Sequence, residues 1–280
     1  MAERPERRAP KAQGAQVLRT ERITPHMIRV VLGGDGLAEF ALAGFTDHYV
    51  KLCFAPEGAD YSHPFDMARI REEYPRELWP TTRTYTVRSW DPAARELAID
   101  FVVHGDEGLA GPWAAGAAPG DQVTFLGPGG GYAPDASADW HLLAGDESAL
   151  PAVAAALEQM PAGAVVHAYV EVADATEEQK IATPDGVEVT WLHRAGRPVG
   201  EALTEAVTGL EFPPGRVQAF VHGEAGFVKE VRRNLRLERG IPASQLSISG
   251  YWRLGHDDEA WRSVKREWNE QVEREQESAA

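Results

Sequence analysis

The residues richest in potential chemistry are consecutive: Arg83-Thr84-Tyr85-Thr86-Val87-Arg88. In a strand, residues two apart share a face. Arg83, Tyr85 and Val87 then point one way, and Thr84, Thr86 and Arg88 the other. An aromatic on such a face can stack on a planar heterocycle such as isoalloxazine, and an arginine fork can clamp a pyrophosphate. A plain strand with one charged, solvated face fits the same spacing. In the second segment, Asp100–Trp113, a strand runs into a glycine turn and then a short helix with Pro112 near its start. The free N–H groups of such a start suit a phosphate; Asp106 and Glu107 read equally well as capping acids. In the third, Gly145-Asp146-Glu147-Ser148 follows an apolar strand and opens a helix, a place that suits a pyrophosphate or a nicotinamide. No GxGxxG accompanies it, and an ordinary capped turn explains the residues as well. His222-Gly223-Glu224-Ala225 ends another strand and is placed to meet the same ligand. A 2′-phosphate would want Arg or Lys near these strand ends. Glu171-Val172-Ala173-Asp174 is acidic there, while Arg194 and Arg197 follow the next strand, which leans the reading toward NADH over NADPH.

Two kinds of element must position these residues. Short strands are expected at Gln16–Arg22, Met27–Leu32, His48–Phe54, Thr82–Trp90, Glu96–His104 and Gln122–Leu126, with one helix at Phe65–Tyr74. Turns such as Asp91-Pro92 and Pro119-Gly120-Asp121 break them, a pattern that suggests an all-β barrel or sandwich. The period then changes. Strands at His141–Ala144, Val165–Val172, Val187–His193, Val217–Val221 and Leu246–Ser249 alternate with helices at Ala149–Met160, Gly200–Val207 and Ala225–Arg239. Such alternation implies a parallel sheet with helical crossovers. Gly127–Pro134 reads as the linker, residues 1–14 as a disordered lead, and 257–280 as a solvated helix or a loose tail.

Composition narrows the function. At roughly 100–200 residues per domain, 280 residues suggest two domains. A net charge of −15 argues against a nucleic-acid binder. No stretch is apolar enough to span a bilayer, and the basic N-terminus lacks the apolar core of a secretory signal, so the expected compartment is the cytoplasm. The single cysteine, Cys53, rules out an intramolecular disulfide and a cysteine-ligated iron–sulfur cluster, and its apolar surroundings suggest a buried thiol. The nine histidines show no metal-ligand spacing, so no protein-bound metal is expected.

Six ordered motifs together resemble the siderophore-interacting protein family, the FAD-binding ferric-siderophore reductase branch of the ferredoxin–NADP reductase superfamily. They are His48-Tyr49-Val50-Lys51-Leu52, Arg83–Arg88, Asp100–Trp113, Pro119-Gly120-Asp121, Gly145–Pro151 and Gly250-Tyr251-Trp252-Arg253. The resemblance covers residues 15–256. It implies a six-stranded antiparallel Greek-key FAD-binding barrel over 15–133, a parallel-sheet α/β nicotinamide-binding domain over 137–256, and a charged tail from 257. It also implies that Arg83, Thr84 and the helix start Gly111-Pro112-Trp113 hold the FAD pyrophosphate. Tyr85 would pack on the flavin, Thr86 would lie near its N5, and Val102 and His104 would line the cofactor. Gly145, Asp146, Glu147, Ser148, Gly223 and Glu224 would meet NADH or NADPH. Lys51, Arg253 and Trp252 would face the ferric siderophore.

The implied chemistry is hydride transfer from NAD(P)H to FAD, followed by one-electron reduction of chelated Fe(III). It needs no protein nucleophile, and ferredoxin is an alternative donor. A monomer is expected. The rivals are a broader flavin reductase and a siderophore-binding module without turnover. The sequence departs from the family pattern twice: Gly111 stands where a small hydroxyl residue is usual, and Gly127-Pro128-Gly129-Gly130-Gly131 stands where Gly-Pro-Arg-Gly is usual.

Overall fold

The computed structural model describes residues 12–105 and 108–277. Six strands, β1 (Gln13–Thr24), β2 (Met27–Gly33), β3 (Tyr49–Phe54), β4 (Thr81–Asp91), β5 (Glu96–Val102) and β6 (Gln122–Gly129), close into an antiparallel barrel of order β1-β2-β5-β4-β3-β6. Its core is Val17, Val30, Leu32, Val50, Leu52, Leu97, Ile99 and Phe125, inward members of the alternating runs. Helix α1 (Met67–Glu73) is capped by Asp66, which accepts from the Ala68 and Arg69 N–H groups, and helix α2 (Ala110–Gly116) follows β5.

The second half is a parallel sheet of order β11-β10-β7-β8-β9. It comprises β7 (Trp140–Gly145), β8 (Val166–Val172), β9 (Val189–His193), β10 (Val217–Glu224) and β11 (Leu246–Trp252), with helices α3 (Leu150–Leu157), α4 (Glu201–Gly209) and α5 (Ala225–Arg233). Helix α5 runs on into a π-helical turn over Asn234–Glu238. Strand order reverses between β7 and β10, and a crevice at such a switch point is where open α/β sheets bind ligands. The two halves share packing: Met27 of the barrel belongs to the same buried cluster as Leu143, Val170 and Phe220 of the sheet. Arg88 on β4 also grips Glu158, just past α3, through two bonds of 2.8 and 2.6 Å.

Three expectations are corrected. Gln13 and Gly14 are already paired with Phe125 and Thr124, so order begins inside the expected disordered lead; residues 1–11 lie outside the described residues. Strand β6 does not end at Leu126: Gly129 still pairs with Tyr49, so Gly127–Gly129 is barrel rather than linker. The tail is neither loose nor fully solvated. Helix α6 (Asp258–Glu277) buries Trp261 and Val272, each 1% exposed, and two indoles, Trp261 and Trp268, meet edge to face at 5.3 Å. Cys53 is buried as expected.

Candidate functional site

Strand β4 carries the first motif, and its register decides which way each side chain points. Arg83 lies opposite Leu52 and Tyr85 opposite Val50, on the inner face; Thr84 lies opposite Lys51 and Thr86 opposite Tyr49, on the outer face. The Tyr85 ring leans on Phe101 at a centroid distance of 4.4 Å, and burial pushes its phenol up to about 12. Thr86 is buried, with the Tyr251 hydroxyl within hydrogen-bonding reach. Arg83 extends its fork to Glu259 at 2.5 and 2.8 Å, and Asp258 stands 3.3 Å away. A planar guanidinium gripped by two oxygens is the geometry that a phosphate also takes.

Helix α2 begins at Leu109 without a cap from that side chain, and Pro112 has no N–H, so Ala110 and Gly111 carry donors of its first turn that have no partner among the described residues. The capping acids considered above, Asp106 and Glu107, lie outside the described residues. Gly111 lies close to β5: a Cβ there would stand 3.2 Å from the Val102 carbonyl oxygen, tight enough that the backbone would have to give by a few tenths of an ångström. A cleft of about 280 Å³ opens beside this helix, between Phe54, His63, Leu109 and Trp113. His104 is exposed, beside the His26 ring at 6.1 Å. A cationic fork, a helix start and aromatic walls are a set that fits a dinucleotide with a pyrophosphate.

At the switch point of the sheet, Asp146 is 1% exposed and accepts four hydrogen bonds. Ser148 N–H and Oγ reach Oδ1 at 2.9 and 2.5 Å; Glu224 N–H and the Trp252 indole N–H reach Oδ2, both at 2.8 Å. Burial raises this carboxyl to about 6 despite those donors. Glu147 is gripped by Arg194, whose Nη1 also stands 3.7 Å from the buried Glu171. Glu224 accepts from the N–H groups of Gly226, Phe227 and Leu254. The three carboxylates expected to meet a nicotinamide are therefore engaged within the protein, and Gly145 and Gly223 beside them are buried; Glu147 and Ser148 are the partly exposed members of the turn. Gly223, at φ +139°, is required there: a Cβ would sit 2.7 Å from the Asp146 carboxyl carbon. His222 is a buried packing group. Its ring stacks on Phe220 at 3.9 Å, and burial, with Lys265 nearby, lowers it to about 3.

On the substrate side, Lys51 and Arg253 are half-buried, and neither side chain has an ion pair or hydrogen bond among the described residues. Arg253 lies 5.9 Å over the Trp261 ring. Trp252 is tied to Asp146, as above. Tyr49, 37% exposed, presses its ring onto Gly129, where a Cβ would meet Tyr49 Cζ at 2.4 Å. The position at which the family pattern carries arginine is thus covered by an aromatic ring. Sequence reasoning missed Tyr49, Asp258 and Glu259. The Tyr49 signal was available in the run of small residues at 127–131, which leaves room for a ring.

Comparison with known proteins agrees with this geometry. The siderophore-interacting FAD-binding domain model matches residues 16–132, and the siderophore-interacting protein model matches 138–255. A solved siderophore utilization protein from T. fusca is 41% identical, with a TM-score of 0.76 over 89% of this chain and 95% of that one. The ferric vibriobactin reductase ViuB of Vibrio cholerae is 34% identical over 89% of this chain and 92% of its own. An NADPH-dependent ferric-chelate reductase of Escherichia coli is also 34% identical, over 84% of this chain and 91% of its own. With both halves matched in order around one cleft, the chain belongs to the siderophore-interacting protein family, its barrel being that family's FAD-binding domain.

Proposed function

We propose that this protein is an FAD-dependent ferric-siderophore reductase, drawing electrons from a reduced nicotinamide and delivering them to chelated Fe(III). The observation that carries the reading is the Arg83 fork on β4, set for bidentate oxyanion binding. The Vibrio and Escherichia relatives, both named as ferric reductases, support the same chemistry. Bound FAD supplies the conversion of a two-electron donor into one-electron steps. One NAD(P)H therefore reduces two Fe(III) chelates to Fe(II), leaving NAD(P)⁺ and one proton.

The chain's own residues position and select. Arg83 and the N–H groups of Ala110 and Gly111 hold the pyrophosphate; Tyr85, Thr86, Val102 and His104 border the cofactor. The turn Gly145–Ser148, with Gly223 beside it, receives the nicotinamide. Lys51 and Arg253, unpaired on a protein of net charge −15, attract the anionic chelate locally, and Tyr49 adds an aromatic face beside them. Arg194 is held by Glu147 and Glu171, and Arg197 by Glu201 and Glu205, so neither is free for a 2′-phosphate. This supports NADH as the donor. The reaction belongs in the cytoplasm, on a monomer. No described helix is long and apolar enough to cross a membrane.

The test is anaerobic titration of FAD-loaded protein with NADH, NADPH and reduced ferredoxin, followed by ferric chelates with a ferrous trap. Bleaching by NADH and trapped Fe(II) are expected. A preparation that takes up no FAD, or a flavin that no donor bleaches, refutes the reading.

A further inference from the structure

The end of β11 and the segment after it lie over the strand that carries the FAD motif. Three successive contacts make the cover: Tyr251 at Thr86, Asp258 and Glu259 at Arg83, and Arg262 to the Thr82 carbonyl and hydroxyl oxygens, both at 2.8 Å. Farther along, α6 is rooted in the other half of the molecule. Trp261 packs against Gly250, and Arg232 of α5 stands 3.8 Å from Glu273. The start of the helix, Asp258 to Arg262, therefore touches the barrel, while Trp261 and the later turns hold to the other half.

Glu259 fills the Nη1–Nη2 edge of the Arg83 fork, and the Thr82 carbonyl and Asp258 crowd Nη1, which leaves only the Nε side open. A pyrophosphate placed on the same donors would lie against two carboxylates, which like-charge repulsion opposes. Asp258 is held more loosely: its buried Oδ2 makes no hydrogen bond and faces Arg83 and Arg262 only as ion pairs at 3.3 and 3.8 Å, and burial raises its carboxyl. Glu259, with a side chain 57% exposed, can turn to water at little cost. We infer that Asp258 and Glu259 form a latch, a built-in substitute for the cofactor's phosphates, which holds Arg83 in the FAD-free protein and is displaced when FAD binds. The inference rests on Arg83 being the pyrophosphate residue. It adds that the C-terminal helix competes with the cofactor, so FAD loading is coupled to release of the first turn of α6.

The experiment compares FAD affinity, by quenching of flavin fluorescence, in apo wild type, Glu259→Gln, the double variant Asp258→Asn/Glu259→Gln, and Arg83→Ala. Removing both charges should tighten FAD binding roughly three- to tenfold, the scale of two partly exposed ion pairs. Amide hydrogen exchange of the wild type, which needs no variant, should show residues 258–262 exchanging faster once FAD is bound. Equal affinities in wild type and double variant, or unchanged or slower exchange, overturns the latch. Loss of affinity in Arg83→Ala alongside unchanged carboxylate variants sinks the latch alone. Unchanged affinity in Arg83→Ala removes the pyrophosphate assignment, and the latch with it.

Discussion

Replacing Asp146 with Asn tests whether the switch-point turn is built around a buried carboxylate. The carboxyl is raised from an ordinary 3.8 to about 6, mainly by burial. At 1.36 kcal/mol per pH unit, that gap of about 2.2 amounts to about 3 kcal/mol. The sign follows from linkage. A group whose folded pKa is raised contributes stability below its unfolded pKa and loses it as pH climbs through the folded one. Asp146 therefore stabilises the fold below about pH 4 and has surrendered that contribution above about pH 6. Between pH 4.5 and 8 the loss is about 2 kcal/mol, since part is already gone at the lower pH. Asn removes this titration. It also turns an NH₂ group toward donors; with its oxygen on Glu224 N–H and the Trp252 indole, the Ser148 N–H is left unpaired, at a cost of about 1–3 kcal/mol. Urea unfolding of both proteins at pH 4.5 and 8 should find Asp146→Asn the less stable at the lower pH. The difference should shrink by about 2 kcal/mol at the higher pH, to parity or reversal. A wild-type-minus-variant difference that holds constant over this range refutes the reasoning.

Other expectations follow from single contacts. Lys51→Ala combined with Arg253→Ala should raise KM for an anionic ferric siderophore about tenfold or more while sparing FAD affinity, measured by steady-state kinetics and flavin fluorescence; equal KM values would remove the basic-pocket assignment. Gly129→Arg should turn the Tyr49 ring, which is 37% exposed, aside at little cost in stability and lower KM for more highly charged ferric chelates; thermal melts and KM values check both, and an unchanged KM would count against this position facing the substrate. Glu147→Gln should leave Arg194 paired only with Glu171, 3.7 Å away, and improve kcat/KM for NADPH relative to NADH by about twofold, whereas an unchanged ratio would count against Arg194 lying near the 2′ position. Gly223→Ala should cost several kcal/mol of stability, since both the φ of +139° and the Asp146 carboxyl exclude a Cβ.

The architecture was legible because period and punctuation agree with it. Alternating runs broken by Asp91-Pro92 and Pro119-Gly120-Asp121 became barrel strands, and the longer alternation of apolar runs became β7 to β11. Ends were less legible where pairing decided them. Gly127–Gly129 reads locally as a breaker, yet the backbone of Tyr49 holds it in the barrel. Helix α6 reads as solvated because charge dominates its composition, while its anchors, Trp261 and Val272, are too sparse to stand out. Within the site, sequence could name Asp146, Glu147 and Glu224 but not their partners. Those partners lie on distant elements: Trp252 at 106 residues from Asp146, and Arg194 at 47 from Glu147.

The pattern of pairing explains how so acidic a protein can receive an anionic substrate. Arg29, Arg88 and Arg194 each reach a carboxylate within 2.8 Å, and so add little to the field outside. Arg83 is neutralised too, but by two carboxylates on a helix that can move. Among the described residues Lys51 and Arg253 have no carboxylate partner, and each has an aromatic neighbour: Tyr49 two residues along the same strand face, and Trp261 beneath the guanidinium. An uncompensated cation in a partly desolvated setting acts over a few ångströms, well within the roughly 8 Å screening length of physiological salt. The long-range field of the chain therefore repels an anionic chelate that the cleft attracts at contact. Raising salt should weaken the repulsion more than the contact, so the association rate of an anionic ferric chelate should rise with ionic strength, the reverse of a steered encounter. Stopped-flow rates that fall with added salt would place the attraction in the field of the whole molecule rather than in Lys51 and Arg253.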